Sequence, residues 1–222
     1  MNNMGILYIV ATPIGNLEDI TLRALRILKE VDLILCEDTR VTKKLLDHYE
    51  IKSPTMSYHQ HSGVIKSDKV LSRLNQGKSL ALVTDAGTPG VCDPGGKIIA
   101  EAVLAGHQVI PIPGPSALAA AVSIAGLPLD KFLFLGFLPH KKGRQTLLKK
   151  IAESDYPVIL YESVHRIEKL LNELSPLSQV VVCRELTKKF ETIYRGTAEE
   201  VKAKLKMPEI KGEFTVIIES KK

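Results

Sequence analysis

The chain has 222 residues, 45% of them hydrophobic and 25% charged, which is ordinary for a soluble protein with a packed core and enough for one large domain or two smaller ones. No apolar run approaches the roughly 18 residues of a membrane span, and Met1–Gly5 lacks the basic segment of a cleaved leader, so a cytoplasmic protein is expected. Cys36, Cys92 and Cys183 are far apart and form no C-x-x-C pair, so neither a disulfide framework nor a zinc knuckle is indicated. Residues 1–113 are charge-balanced and residues 114–222 carry the whole net charge of +5, a pattern that suits a polyanionic partner met by the second half.

In chain order, short runs rich in Ile, Val and Leu lie at Ile6–Ala11, Leu33–Cys36, Leu80–Thr84 and Val109–Ile112, with a weaker run at Thr55–Tyr58. Between them, Thr21–Glu30, Thr42–Tyr49, Lys66–Asn75 and Lys97–Ala105 show helical periodicity. Continuous apolar strands joined by helical crossovers predict a largely parallel sheet. Pro111-Ile-Pro-Gly-Pro-Ser116 breaks the pattern, and a domain boundary is expected there, between residues 1–113 and 114–222. Helical, small-sided Ala117–Ala125 follows. The second half predicts strands at Phe132–Phe137, Val158–Tyr161, Val180–Cys183, Thr192–Tyr194 and Phe214–Glu219. Helices are expected at Arg144–Glu153, Arg166–Leu174 and Ala198–Leu205. Strands there sometimes follow one another directly, so this sheet is expected to be mixed. The fold class is α/β, with two α/β domains.

Ligands of open parallel sheets bind beyond the carboxyl ends of the strands. Three predicted strands end there in unusual loops: Ala11–Asn16, Thr84–Gly96 with four glycines and two prolines, and Pro111–Ser116. Glycine lets backbone amides approach a ligand, and proline fixes the loop beforehand. Together they describe a rigid pocket that grips a small molecule through the main chain. It is not a P-loop: Val91 stands where the first glycine belongs, and Ile98 replaces the Ser/Thr after Gly96-Lys97. No G-x-G-x-x-G follows the first strand either.

Leu7-Tyr-Ile-Val-Ala-Thr-Pro-Ile-Gly-Asn-Leu-Glu-Asp-Ile20 resembles the opening of the tetrapyrrole methylase superfamily. The likeness continues through Cys36-Glu-Asp-Thr-Arg40, Thr84–Gly95, Pro111–Ala117, Phe134–Pro139, Tyr161-Glu-Ser-Val-His-Arg166, Arg184–Thr187 and Gly212–Thr215, spanning nearly the whole chain. It is nearest to the branch that methylates a cytidine ribose 2′-oxygen in the decoding region of small-subunit (16S) ribosomal RNA. The resemblance implies S-adenosylmethionine in a cleft between the two domains, usually in a homodimer. It also implies naked RNA or the assembled small subunit as partner, with no DNA and no membrane.

Carried over, Pro13, Asp85, Ala86, Gly87, Thr88, Gly114, Pro115 and Ser116 would contact the cofactor from the first half. Phe137, Leu138, Arg184, Glu185, Leu186, Gly212 and Glu213 would do so from the second. The branch commonly has His-Asn-Glu after its third strand, whereas this chain has Tyr58-His-Gln-His-Ser62. Many members also carry a further C-terminal helical segment, while this chain stops soon after Glu219.

A protonated ribose hydroxyl is a poor nucleophile, so a base or oriented acceptor is expected. Asp38, His61 and Glu162 are the candidates for that role, with Arg40, His59 and Arg166 against substrate and Arg184 also available for phosphate. Each has a plainer alternative: Asp38 as a helix cap, His59 with His61 as a metal pair lacking a third ligand, Glu162 as scaffolding for an arginine. No metal is expected. Lys141-Lys142-Gly143-Arg144 and Lys188-Lys189 suit phosphate or a solvated face. The alternatives are methylation of a corrin or porphyrin precursor, also polyanionic, and a non-catalytic protein that binds cofactor or RNA.

Overall fold

The computed structural model describes residues 4–59, 64–205 and 211–220. The chain divides into two compact units, Met1–Ser116 and Ala117–Lys222.

The first unit is a five-stranded sheet in the order β3-β2-β4-β1-β5, built from β1 (Ile6–Val10), β2 (Leu33–Cys36), β3 (Thr55–Ser57), β4 (Ser79–Leu82) and β5 (Gln108–Ile112). Every pairing is parallel, so all five carboxyl ends lie at one edge. Helices α1 (Leu22–Glu30), α2 (Thr39–His48), α3 (Val64–Asn75) and α4 (Gly96–Leu104) are the crossovers. The pleat sorts the side chains of β2 to opposite faces. Ile34 and Cys36 join Ala24, Ile27, Leu28, Leu45 and Leu46 of α1 and α2, while Leu33 and Leu35 join Val70, Leu74, Ile98 and Ala102 of α3 and α4. Burial on both faces explains the uninterrupted apolar runs.

Helix α2 starts three residues before its apolar pattern does. Asp38 caps it, its carboxylate accepting from the Arg40 N–H at 2.8 Å, so the polar first turn is specified by the cap and not by the stripe. Thr21 caps α1 in the same way through the Ala24 N–H.

The second unit opens with α5 (Ala117–Ile124), and the carbonyls of Ile124 at its end and of Ala125 just beyond it accept from the Arg195 guanidinium. Its sheet has the order β6-β7-β10-β8-β9, from β6 (Leu133–Phe137), β7 (Val158–Ser163), β8 (Gln179–Arg184), β9 (Thr192–Thr197) and β10 (Glu213–Ile218). Only β6 and β7 pair in parallel, and the other three ladders are antiparallel. Helices α6 (Arg144–Ala152), α7 (Val164–Glu173) and α8 (Ala198–Lys204) share one core with Val158, Leu160, Val180, Val182, Val216 and Ile218. A capping box of Thr197 and Glu200 starts α8.

Candidate active site

In the first unit the three glycine- and proline-rich loops leave neighbouring strands, β4, β1 and β5, and are bonded to one another. Thr12 and Gly87 exchange both main-chain bonds, at 2.9 and 3.0 Å. The buried Thr12 hydroxyl adds a bond to the Thr84 carbonyl at 3.0 Å. Thr88 Oγ1 donates to the Pro115 carbonyl at 3.1 Å, and Ala11 N–H to the Ile112 carbonyl at 3.2 Å. The glycines answer to specific demands. Gly87 has φ +82°, and a Cβ on Gly114 would come within 3.1 Å of the Ala11 Cβ. Pro13, Asp85, Ala86, Gly87, Thr88, Gly114, Pro115 and Ser116 thus form one rigid crown in which Asp85, Ala86 and Gly114 are exposed.

The β2 and β3 ends join the same edge. Asp38 N–H donates to Asp85 Oδ1 at 3.1 Å, and the His59 ring donates from Nδ1 to the Glu37 carbonyl at 2.9 Å. Asp38 is itself gripped by Arg40, with Nη2–Oδ2 at 2.6 Å and Nε bonded to both oxygens. The Arg40 bonds hold the Asp38 carboxyl down at about 2, and Asp38 in turn raises Arg40. Glu37 behaves oppositely. Burial pushes its carboxyl above the ordinary range, and the negative charge of Asp85 pushes it further, against the opposing influence of His59. Asp38, Arg40 and His59 therefore gather beside Asp85, and Glu37 stands among them. Periodicity and motif spacing pass over Glu37 because its proton affinity comes from tertiary burial, although its place directly after an apolar strand is the available signal. His61 lies outside the described residues.

In the second unit, Arg184, Glu185, Leu186, Gly212 and Glu213 come together where β8 ends and β10 begins. Glu185 N–H donates to the Glu213 carbonyl at 2.9 Å, and Glu213 N–H returns a bond to Glu185 Oε1 at 3.0 Å. Lys188 Nζ bridges Glu185 at 2.9 Å and Glu213 at 2.8 Å. Burial alone would raise the Glu185 carboxyl, but the Lys188 and Glu213 N–H bonds outweigh it and leave it lowered. Arg184 is committed to the Lys211 and Phe190 carbonyls. Gly212 has φ +119°, and a side chain there would strike Glu185.

Phe137, Leu138, Glu162 and Arg166 form the other cluster of this unit. Phe137 is 52% exposed and Leu138 buried. Glu162 is 1% exposed, its Oε1 accepting from Arg166 Nε at 2.8 Å and from the Ser163 N–H at 2.9 Å. Arg166 Nη1 donates to the Leu138 carbonyl at 2.8 Å. Glu162 and Arg166 are thus bonded to each other and to the scaffold, which for Glu162 is the plainer of its two readings from sequence. Among the described residues no three His, Cys, Asp or Glu side chains gather as a metal ion would need, and no helix is long and apolar enough to cross a membrane.

The sequence profile of tetrapyrrole (corrin/porphyrin) methylases matches residues 6–202. Proteins named ribosomal RNA small subunit methyltransferase I are similar over almost the whole chain. That of Halalkalibacterium halodurans is 45% identical over 222 residues, covering 98% of this chain and 77% of that protein. That of Synechocystis is 46% identical, covering 97% and 79%, and that of Thermotoga maritima 42% identical, covering 98% and 100%. Among solved structures, a diphthine synthase superposes with a TM-score of 0.75 at 17% identity, over 98% of this chain and 90% of that one. Cobalt precorrin-4 methyltransferase superposes with a TM-score of 0.68 at 22% identity, over 96% and 94%. Two α/β units, one sheet parallel and one mixed, are therefore the shared fold. The chain is a methyltransferase of the tetrapyrrole methylase family, and within it belongs with the ribosomal RNA small subunit methyltransferase I proteins.

Proposed function

We propose that this protein methylates the ribose 2′-oxygen of a cytidine in the decoding region of small-subunit ribosomal RNA, using S-adenosylmethionine. The observation that carries the reading is the crown at the carboxyl edge of the first sheet, three neighbouring loops bonded through their main chains, in a chain so similar to proteins named as methyltransferases of small-subunit ribosomal RNA. The crown fits such a cofactor. Asp85 and Ala86 are exposed where a ribose hydroxyl or an amino-acid moiety can meet them, Gly87 being held beneath by Thr12, and Gly114 keeps a side chain out of the way. In the second unit, exposed Phe137 and the Arg184–Leu186 and Gly212–Glu213 segments are proposed as further cofactor contacts.

The cofactor supplies a methyl group on a sulfonium, open to in-line attack. The protein's part is then to hold the hydroxyl oxygen in line and to take its proton. Asp38 is poorly suited to accept that proton, because Arg40 stabilises its charged form. Glu37 stands at the same edge with raised proton affinity, and takes that role in this reading. The exposed Arg40 and His59 suit RNA phosphate and ribose, and the excess cations of the second half suit the polyanion more broadly. Family likeness extends the reading to a cytoplasmic homodimer, which sedimentation tests.

The deciding experiment incubates the protein with methyl-labelled cofactor and, separately, assembled small subunits, naked 16S RNA, or a corrin or porphyrin precursor. Label in a single 2′-O-methylcytidine, located by mass mapping, is expected. Label only in the tetrapyrrole defeats the proposal, and cofactor binding without transfer to any of them points to a binding protein.

A further inference from the structure

We infer that the quartet of buried Arg144 and Glu162 with half-buried Arg166 and Glu173 is a positioning device that fixes the end of β6, Phe137 to Pro139, as a wall of the S-adenosylmethionine site. This rests on the cofactor reading proposed above.

The β6–β7 ladder ends at the pair Phe137 and Tyr161. Beyond it, β6 lies at the sheet edge, and the main-chain carbonyls of Leu138 and Pro139 have lost their strand partner. Leu138 is buried and Pro139 exposed, so the Leu138 carbonyl above all needs a donor, and each carbonyl receives one. Both come from the quartet, with Arg166 Nη1 reaching the Leu138 carbonyl at 2.8 Å and Arg144 Nη1 the Pro139 carbonyl at 3.3 Å. Neither guanidinium is left to choose its place. Glu162 holds Arg166 at 2.8 Å and faces Arg144 at 3.9 Å, while Glu173 holds Arg144 through Nε at 2.8 Å and Nη2 at 2.7 Å. Two arginines and two glutamates balance in charge.

A buried ionic group is weak as a source of stability, since apolar side chains of similar volume often serve as well. What apolar side chains lack is N–H donors aimed at two successive carbonyls. The same Arg166 guanidinium lies 5.9 Å from the centre of the Phe137 ring, which also meets the Tyr161 ring at a tilt of 59° and 5.6 Å. The exposed ring is therefore held from below by the arginine that holds its neighbour's carbonyl. Glu162, 1% exposed with Oε1 engaged by Arg166 and the Ser163 N–H, acts through these arginines and not on substrate.

The test measures S-adenosylmethionine binding by calorimetry, and kcat with its pH profile on small subunits, for the unsubstituted protein, Glu162→Gln and Arg166→Lys. Lysine keeps the charge beside Glu162 but loses the second N–H that reaches Leu138. Both variants are expected to weaken cofactor binding about tenfold, with kcat at saturating cofactor within about threefold and the pH profile unchanged in shape. If Glu162→Gln does not fold, Arg166→Lys decides alone. Folded variants that bind the cofactor as tightly as the unsubstituted protein overturn the inference. So does a collapse of kcat at unchanged affinity with loss of the basic limb, which would make Glu162 the base. An unsubstituted protein that does not bind S-adenosylmethionine refutes the cofactor reading itself, before any variant is measured.

Discussion

The two units secure their loop ends by different chemistry. In the first, Thr12, Gly87, Thr88 and Pro115 join loop to loop through main-chain groups and two hydroxyls. In the second, the segment after β6 is held by the Arg144–Glu173 and Arg166–Glu162 pairs, and the segment after β8 by Lys188 between Glu185 and Glu213. Sheet direction accounts for the difference. Five parallel strands end side by side, so each departing chain meets another departing chain with complementary main-chain groups. In the mixed sheet β6, β7 and β8 end where β9 and β10 begin. Neighbouring loops there seldom match, and long charged side chains reach across instead.

The most severe way to break the comparison is Arg144→Met, which leaves buried Glu162 to Arg166 alone and half-buried Glu173 to Lys169 alone, at 3.9 Å. A loss of about 3 kcal/mol in urea unfolding is expected, because removing one member of a buried ion pair leaves the other's charge under-compensated. Glu37→Gln sharpens the contrast from the other side. Stability should hold while kcat falls about a hundredfold, as loss of a general base does. A variant with unchanged kcat removes Glu37 from the chemistry. Thr12→Val tests the crown itself and should cost about 1 kcal/mol, the size of one buried neutral hydrogen bond, so the two units' fastenings would differ clearly in magnitude.

The smallest effect concerns Asp38. Its carboxyl titrates at about 2 in the folded protein against an ordinary 3.8, so between those values the unfolded chain binds more protons. Its stabilisation is complete above the ordinary value and disappears as pH falls through that interval. Asp38→Asn keeps a good cap, so its melting temperature should decline less steeply than the original protein's as pH is lowered from about 5 to about 2. Parallel declines would show that the Arg40 grip is too well solvated to matter.

Much of the architecture is legible in the sequence because burial on two faces leaves continuous apolar runs, as at Leu33–Cys36. Edges and first turns are less so. β9 continues through Arg195 and Gly196 to Thr197 because its pairing with β8 needs only main chain, which apolar patterning does not record. The candidate site divides along the same line. Loop composition marks the crown, and the i, i+4 spacing marks Glu162 with Arg166 as a pair. Arg144 and Glu173 join that pair only in three dimensions, and Glu37 gains its proton affinity from burial in the folded chain and then from Asp85, which is distant in sequence.

The Thr12–Gly87 bridge joins residues 75 positions apart, and it closes over a strand whose partners are both synthesised long after it. β1 pairs with β4 and β5, so it stays open along one edge until residue 82 has been made and along the other until residue 112 has. Synthesis order and assembly order therefore oppose each other. Closing so distant a contact is slow, and an apolar strand waiting with unpaired edges is prone to associate with other chains. The crown is thus among the last parts of its unit to form, and nascent chains that end before β5 are those expected to need a chaperone.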